Sequence, residues 1–298
     1  MRTPDFLVIG AMKSGTTTLY HDLATQPNVF LPEKEQDFFS QDQAFAASAR
    51  RRYERAYRAA RPHQVCGDIS TTYAMLPDLP DVPARVHAIL GRDVKIVYLM
   101  REPVSRMISH HRHMSCWHGE GKMTGSIDEC VDRYPSLVNY SRYAMQIRPW
   151  LEVFGREAIL LIRFEDYVRQ RAATLLRLSH FLGVRCFSDL IVPEVAYNQS
   201  EGKPVFTSFW AKTHETSLYR RALRPLLPAG LRSWLGSVLL PSAPPAPPPP
   251  SATTVERLLD VFQADSEELR SLFGAGTPSW DFAAVRHKFA VSKRAAAA

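Results

Sequence analysis

The 298-residue chain has few cysteines and no long apolar run. Its four cysteines stand apart, with no Cys-x-x-Cys pair among them, which argues against a disulfide framework and predicts free thiols. The apolar runs are too short to cross a bilayer, and Met1 leads within five residues into an apolar segment, which leaves no room for a secretory leader. We therefore predict a soluble, cytoplasmic protein that makes no membrane contact.

Lysine is also scarce. The net charge is +7, yet only 8 of the 37 basic residues are lysine, so 37 − 8 = 29 are arginine. A basic balance favours an anionic ligand, and nucleic acid would satisfy it too. However, the densest basic run, residues 50–52, precedes Tyr53 and Tyr57 at helical spacing, which is typical of the solvated face of a helix. We therefore expect no nucleic-acid partner.

The most informative segment is an apolar strand, residues 6–9, that runs into a Gly/Ser/Thr loop and then a helix. Gly10 and Gly15 allow sharp turns and bring backbone N–H groups close to an anion. Nucleoside triphosphatases place lysine directly after the second glycine of such a loop. Here Lys13 lies inside the loop and Thr16 occupies the usual lysine position. The loop therefore suits phosphate better than Mg-ATP.

A second anion-binding pattern follows the apolar run at residues 94–100. Arg101 ends that run, Pro103 is expected to begin a helix, and Ser109 would lie about two turns along it. Arginine presents a rigid fork that matches phosphate, and serine adds a short donor. The equivalent strand of an NTP hydrolase usually ends in Asp, which organises Mg²⁺. Arg101 at this position argues against a metal.

Lys13-Ser14-Gly15-Thr16-Thr17 resembles the 5′-phosphosulfate loop of sulfotransferases that use 3′-phosphoadenosine 5′-phosphosulfate (PAPS). Arg101 and Ser109 match the family's 3′-phosphate segment. Residues 35–39 are similar to the Glu-x-x-Phe-Phe segment of heparan sulfate sulfotransferases and many bacterial relatives. The resemblance implies that Glu35 is the general base, with Glu33 and Asp37 as rival carboxylates. It also implies that no metal is required.

The resemblance implies further roles and has departures. Lys13, Ser14, Gly15, Thr16 and Thr17 would hold the 5′-phosphate, and Lys13 would also act in catalysis. Lys203, which follows residues 197–200 where a PAPS-closing loop is expected, is a further candidate for donor binding. Residues 67–73 are similar to a Gly-Glu-Lys-(Ser/Thr)-Pro-x-Tyr segment, but Ile69 stands in place of its Lys and Thr71 in place of its Pro.

The sequence predicts an α/β protein with a P-loop-like three-layer fold, in which helices flank a central parallel sheet. Strand-like runs at 6–9, 94–100 and 158–162 alternate with helical patterns. We predict a sulfotransferase domain over residues 1–240, a proline-rich linker over 241–251, and a helical segment over 252–298 that packs back on the domain. Residues 253–256 offer a capping box to that last segment.

Three alternatives stay open at this point. The first is a P-loop kinase or NTPase, and the second is a non-catalytic polyanion-binding protein. The third concerns a zinc site, because His110, His111, His113, Cys116 and His118 crowd one stretch; without a second paired cluster we favour surface or cleft histidines. The expected acceptor is a hydroxyl or amine of a carbohydrate or another small molecule.

Overall fold

A computed structural model describes residues 2–116, 122–191 and 247–295. Five strands run through it: β1 (Phe6–Gly10), β2 (Val29–Phe30), β3 (Val65–Ile69), β4 (Lys95–Met100) and β5 (Ile159–Arg163). The helices are α1 (Thr16–Ala24), α2 (Ala47–Ala56), α3 (Val82–Leu90), α4 (Pro103–Ser115), α5 (Ile127–Arg133), α6 (Ser136–Asn139), α7 (Tyr143–Phe154), α8 (Phe164–Arg169), α9 (Arg171–Leu182), α10 (Ala252–Phe273) and α11 (Phe282–Ala295).

The five strands form one parallel sheet in the order β2-β3-β1-β4-β5. The chain leaves β1 towards β2 and β3 on one side and leaves β4 towards β5 on the other, so the connections reverse between β1 and β4. Ligands of open parallel sheets bind at such a reversal, beyond the carboxyl ends of the strands. The loops that follow β1 and β4 are those in which the sequence places Lys13 and Arg101.

Two apolar cores lie on opposite faces of the sheet, because successive side chains of a strand point to opposite sides. In β1, Leu7 and Ile9 belong to one core, and Phe6 and Val8 belong to the other. The first core also takes side chains from α2, α3, α7 and α10, and the second takes them from α1 and α9. All of β1 is buried. The α/β fold with helices on both faces of a parallel sheet is confirmed.

Helix α1 is fixed to the helices after β5 by a buried ion pair. Asp22 accepts two hydrogen bonds from the Arg171 guanidinium, at 2.7 Å and 2.6 Å, and a further one from the Tyr167 hydroxyl. Both charged side chains are at most 6% exposed. Because removing one partner of such a pair leaves a buried charge uncompensated, the pair fixes the position of the helix. Asp22 lies in the last turn of α1, so the pair holds that end of the helix against α8 and α9.

The C-terminal helices pack on the same body as the sheet. Ser251 caps α10, because its side chain accepts a hydrogen bond from the backbone N–H of Thr254 at 3.2 Å. The capping box predicted at residues 253–256 is therefore wrong: the helix begins two residues earlier, and Thr254 lies in its first turn. Residues 247–250 of the proline-rich stretch form no helix or strand, and residues 241–246 lie outside the described part.

The chain divides into two compact units. The first comprises Met1–Met107, Pro135–Asn198 and Ser251–Ala298 and contains the sheet; the second comprises Ile108–Tyr134 and Gln199–Pro250. In the described part of the second unit, Ser126 and Glu129 form a reciprocal capping box at the start of α5. None of the helices in the described ranges is long and apolar enough to cross a membrane.

Candidate active site

The loop after β1 leads directly into α1, with Gly15 as the residue before the helix. Gly15 has a φ of 89°, a left-handed conformation that L side chains rarely adopt. A Cβ at this position would lie 2.6 Å from Cε2 of Phe164. Only glycine therefore fits between the loop and that ring. The first N–H groups of α1, at Thr16 and Thr17, point out of the end of the helix. Gly15, the residue before the helix, has no side chain that could cap them.

Ser14 and Lys13 complete this loop. The Ser14 hydroxyl is fully buried and has no hydrogen-bond partner within the described ranges. A buried donor without a partner is costly, so it suits a ligand oxygen. Lys13 has a φ of 72°, which is uncommon for a residue with a side chain. The loop thus offers a hydroxyl, an ammonium group and the N-terminus of a helix, which is a donor set for a phosphate.

Arg101 brings the second anion-binding segment to the same place. Its guanidinium donates a hydrogen bond to the Lys13 carbonyl at 3.4 Å and lies 5.1 Å from the centre of the Phe164 ring. Phe164 follows β5 directly, so one aromatic ring contacts Gly15 and underlies Arg101. The structure therefore joins the loops after β1, β4 and β5 at a single point.

Glu35 lies on a segment that is hydrogen-bonded to the end of β3. Its backbone N–H donates to the Ile69 carbonyl at 3.0 Å, and its carboxylate accepts from the Thr71 N–H at 3.0 Å. The carboxylate also pairs with Lys34, and the Glu35 side chain is 37% exposed. Because β3 is the neighbour of β1, Glu35 and the phosphate loop lie at the same edge of the sheet. Glu35 is thus an accessible carboxylate on a fixed backbone.

The rival carboxylates have different surroundings. Asp37 is half-buried and accepts a hydrogen bond from the Thr72 hydroxyl at 2.7 Å. Burial raises the pKa of Asp37, and the Thr72 hydrogen bond offsets only part of that rise. Glu33 is exposed, and its backbone carbonyl accepts from Gln36 at 2.7 Å. Glu35 and Asp37 both have positive φ, at 60° and 50°, so the whole segment has an unusual backbone.

A buried carboxylate, Asp68 in β3, is connected to the segment that carries Glu35 and Asp37. It is 1% exposed and accepts hydrogen bonds from Tyr73 at 2.7 Å, Tyr53 at 2.8 Å and Ser70 at 2.9 Å. The Ser70 hydroxyl in turn accepts from the Asp37 N–H at 3.1 Å. Burial raises the pKa of Asp68 from 3.8 to about 6, although the three hydrogen bonds lower it. Asp68 is therefore connected to the Glu35 segment through one serine.

The raised pKa of Asp68 predicts a pH-dependent stability. The folded protein holds this proton more tightly than the unfolded chain, so between pH 4 and pH 6 unfolding releases a proton and the free energy of unfolding falls as pH rises. We expect the difference in unfolding free energy between the wild type and Asp68→Asn to fall by about 2 kcal/mol over this range. Urea unfolding at pH 4, 5, 6 and 7 measures it. A constant difference would show that Asp68 titrates normally.

Other residues singled out in the sequence have mixed outcomes. Ser109 lies in α4, as the sequence predicts, and is buried, in the second unit. Lys203 and residues 197–200 lie outside the described residues, as does His118. The expectation of surface or cleft histidines is wrong for His110 and His111, which are 3% and 1% exposed. Burial lowers the pKa of His111, whose ring nitrogen is 3.2 Å from the Gly125 carbonyl oxygen.

All four cysteines are free, as predicted. In the described ranges, no three or more His, Cys, Asp or Glu side chains are grouped so that they could hold a metal ion.

A family model described as a sulfotransferase domain matches residues 3–222. The chain belongs to the sulfotransferase family. Heparan sulfate glucosamine 3-O-sulfotransferase 6 from Homo sapiens is 29% identical over an alignment of 203 residues, and the match covers 62% of this chain and 53% of that protein. Heparan sulfate glucosamine 3-O-sulfotransferase 3B1 from Mus musculus is 27% identical over an alignment of 214 residues, and the match covers 67% of this chain and 51% of that protein. The chain thus spans about half the length of these curated relatives.

The sulfotransferase fold is also seen in a solved structure. A sulfotransferase from Alicyclobacillus acidocaldarius superposes with a TM-score of 0.61 at 20% identity, covering 92% of this chain and 96% of that one. At this identity the likeness concerns the fold. The family resemblance drawn from the three motifs is confirmed.

Sequence reasoning missed the residues that support the site. Phe164 had a detectable signal, because an aromatic residue directly after a strand-like run lies at the end of the sheet where ligands bind. Thr71 had none, because it contacts Glu35, 36 residues away in the sequence. Asp68 had none, because its connection to the Glu35 segment passes through Ser70, which binds Asp37 from 33 residues away. Tyr143, whose hydroxyl binds the backbone of Arg101, is equally distant.

Proposed function

We propose that this sulfotransferase moves a sulfuryl group from PAPS to a hydroxyl or amine of a carbohydrate or another small-molecule acceptor and releases adenosine 3′,5′-bisphosphate. The observation that carries the proposal is the meeting of two anion-binding segments at adjacent strand ends, where the Arg101 guanidinium lies 3.4 Å from the Lys13 carbonyl oxygen. A nucleotide with phosphates on both its 5′ and 3′ oxygens requires two such segments.

The geometry of each segment supports the proposed donor-binding residues. The 5′-phosphate would lie on the N-terminus of α1, against Ser14, Gly15, Thr16 and Thr17, because helix N–H groups and the helix dipole favour an anion there. The orphaned Ser14 hydroxyl and the space kept by Gly15 support this fit. Arg101 would bind the 3′-phosphate. Ser109 stays a candidate for the same donor on its motif match, and Lys203 on its place after the loop expected to close over PAPS.

The chemistry requires a base and a positive charge, and the site offers both. The acceptor oxygen or nitrogen forms a bond to sulfur while the bond from sulfur to the bridging phosphate oxygen breaks. Glu35 would take the acceptor proton, which a carboxylate on a fixed backbone can do without a metal. Lys13 would stabilise the negative charge that grows on the bridging oxygen and the 5′-phosphate. The products are the sulfated acceptor and adenosine 3′,5′-bisphosphate.

Replacing Arg101 by alanine tests the donor. We expect Arg101→Ala to weaken the binding of PAPS by about 1.5–3 kcal/mol, since a charge-assisted contact is lost. The binding of adenosine 5′-phosphosulfate should change much less, because that donor lacks the 3′-phosphate. The measurement is the KM for each donor, together with Kd for adenosine 3′,5′-bisphosphate and for ADP. Arg92→Ala is the matched control, since it removes an exposed arginine that precedes β4 rather than following it.

Each outcome separates the proposal from its alternatives. Turnover that survives EDTA excludes an Mg²⁺-dependent kinase. If Arg101→Ala weakens the binding of both donors equally, then Arg101 has a structural role instead. If Arg92→Ala weakens nucleotide binding as much as Arg101→Ala does, and if binding depends steeply on salt without preference among nucleotides, the chain is a polyanion-binding protein.

The acceptor is the remaining part of the proposal. Incubation of the enzyme with isotopically labelled PAPS and a panel of alcohols, amines and saccharides, followed by mass detection of the product, identifies it. A cytoplasmic location and the absence of a nucleic-acid partner stay predictions from the sequence.

A further inference from the structure

Arg101 is held at its backbone by Tyr143, the first residue of α7. The Tyr143 hydroxyl donates to the Arg101 carbonyl at 2.6 Å and accepts from the Arg101 N–H at 3.2 Å. Burial raises the pKa of Tyr143, so the hydroxyl keeps its proton and can serve both contacts. The position of Arg101 therefore depends on where α7 begins.

The start of α7 is fixed by a residue of α10. Asp265, which is 4% exposed, accepts hydrogen bonds from the N–H groups of Ala144 at 2.9 Å and Met145 at 3.2 Å. A carboxylate at this place satisfies two N–H groups of the first helical turn and interacts favourably with the helix dipole. The residue before the helix, Arg142, makes no side-chain cap. Asp265, which lies on α10, thus acts as the N-terminal cap of α7 although the two helices are distant in the sequence.

A second connection reaches the residue after Arg101. Trp280 follows α10, and its indole N–H donates to Glu165 at 3.2 Å. The other carboxylate oxygen of Glu165 accepts from the backbone N–H of Glu102 at 2.8 Å. The Trp280 ring also packs on Tyr143, with 5.4 Å between ring centres. The backbone of residues 101 and 102 is therefore held from both sides by groups tied to the C-terminal segment.

We propose that Asp265 and Trp280 are positioning residues of the donor site, which set the place of Arg101 through Tyr143 and Glu165 and so determine affinity for the 3′-phosphate of the donor. The inference rests on the proposed function and adds to it a segment that lies beyond residue 222, where the family match ends. In this proposal neither residue binds the donor directly.

The test compares two nucleotides that differ only in the 3′-phosphate, adenosine 3′,5′-bisphosphate and AMP. We expect Asp265→Asn to lower the affinity for the bisphosphate roughly tenfold and to leave the affinity for AMP unchanged. Trp280→Phe keeps an aromatic ring against Tyr143 and removes the N–H donor together with the pyrrole ring that carries it, so we expect a smaller selective loss. In steady-state kinetics both variants should raise the KM for PAPS with little change in kcat.

Controls separate positioning from general destabilisation. Glu268→Gln breaks an exposed ion pair with Arg148 between the same two helices, α7 and α10. This variant should leave the affinity for both nucleotides unchanged. Combined with Arg101→Ala, Asp265→Asn should add no further loss of bisphosphate affinity, because the two act on one interaction. Thermal melting of each variant identifies any loss of fold.

Three results would overturn the positioning role alone. The first is a parallel loss of affinity for both nucleotides in Asp265→Asn and Trp280→Phe, and the second is an additive loss in the double variant. The third is a preference for the bisphosphate that survives both substitutions. If the unmodified protein itself binds the bisphosphate no better than AMP, the proposed donor is wrong.

Discussion

Replacing Glu35 by glutamine is expected to lower turnover by roughly 100- to 10,000-fold, the range for removal of a general base, while binding of adenosine 3′,5′-bisphosphate stays normal. Glutamine has the same shape, and its amide oxygen can still accept the hydrogen bond from the Thr71 N–H that Glu35 accepts at 3.0 Å. The lost ion pair with Lys34 is exposed, and such pairs contribute little to stability. The melting temperature should therefore hardly change.

Two neighbouring carboxylates provide controls for Glu35. Glu33→Gln removes an exposed carboxylate, and Asp37→Asn removes the one bound to Thr72. We expect both variants to retain most of the turnover. If Asp37→Asn abolishes turnover and Glu35→Gln spares it, then the base is Asp37, and the sulfotransferase assignment is unaffected. A purely structural Glu35 would instead lower the melting temperature and the activity in proportion.

Lys13→Ala should reduce kcat by on the order of 100-fold or more, with a much smaller effect on the binding of adenosine 3′,5′-bisphosphate. The reason is that the charge this ammonium group stabilises grows as the bond to sulfur breaks, so its contribution is largest in the transition state. Single-turnover rates at saturating PAPS measure the chemical step, and calorimetry measures the binding.

Lys34→Ala is the matched control for Lys13. It removes a lysine that pairs with the proposed base but lies outside the phosphate loop. We expect it to change turnover only slightly. Near-normal turnover of Lys13→Ala at saturating PAPS would show that Lys13 is not part of the chemistry.

The elements around the donor site could be predicted because their signals are local. A strand followed by a glycine-bounded loop, and a second strand ended by Arg101 and followed by Pro103, each lie within about a dozen residues. Strand β3 could not be predicted, since Gly67 and Asp68 are both residue types that strands disfavour. The structure explains both: a Cβ at Gly67 would lie 2.2 Å from the Phe6 ring, and Asp68 is satisfied by two tyrosines and a serine.

The support of the site could not be predicted, because it depends on contacts between distant segments. Thr71 binds Glu35 across 36 residues, and Asp265 binds the start of α7 across about 120. Periodicity and capping signals describe only the neighbourhood of each residue. The misplaced cap of α10 has a different cause, because Ser251 and Thr254, which form the observed cap, are neighbours in the sequence.

Lys13, Glu35 and Asp37 all have left-handed backbones, with φ of 72°, 60° and 50°. Each such residue costs roughly 1–2 kcal/mol relative to an ordinary conformation, a strain that glycine would relieve. A laboratory selection for heat resistance alone would therefore favour glycine at these three positions, and it would remove two of the side chains on which the proposed chemistry depends. Heat resistance and turnover are opposed at this part of the chain, so an engineered variant should gain its stability elsewhere.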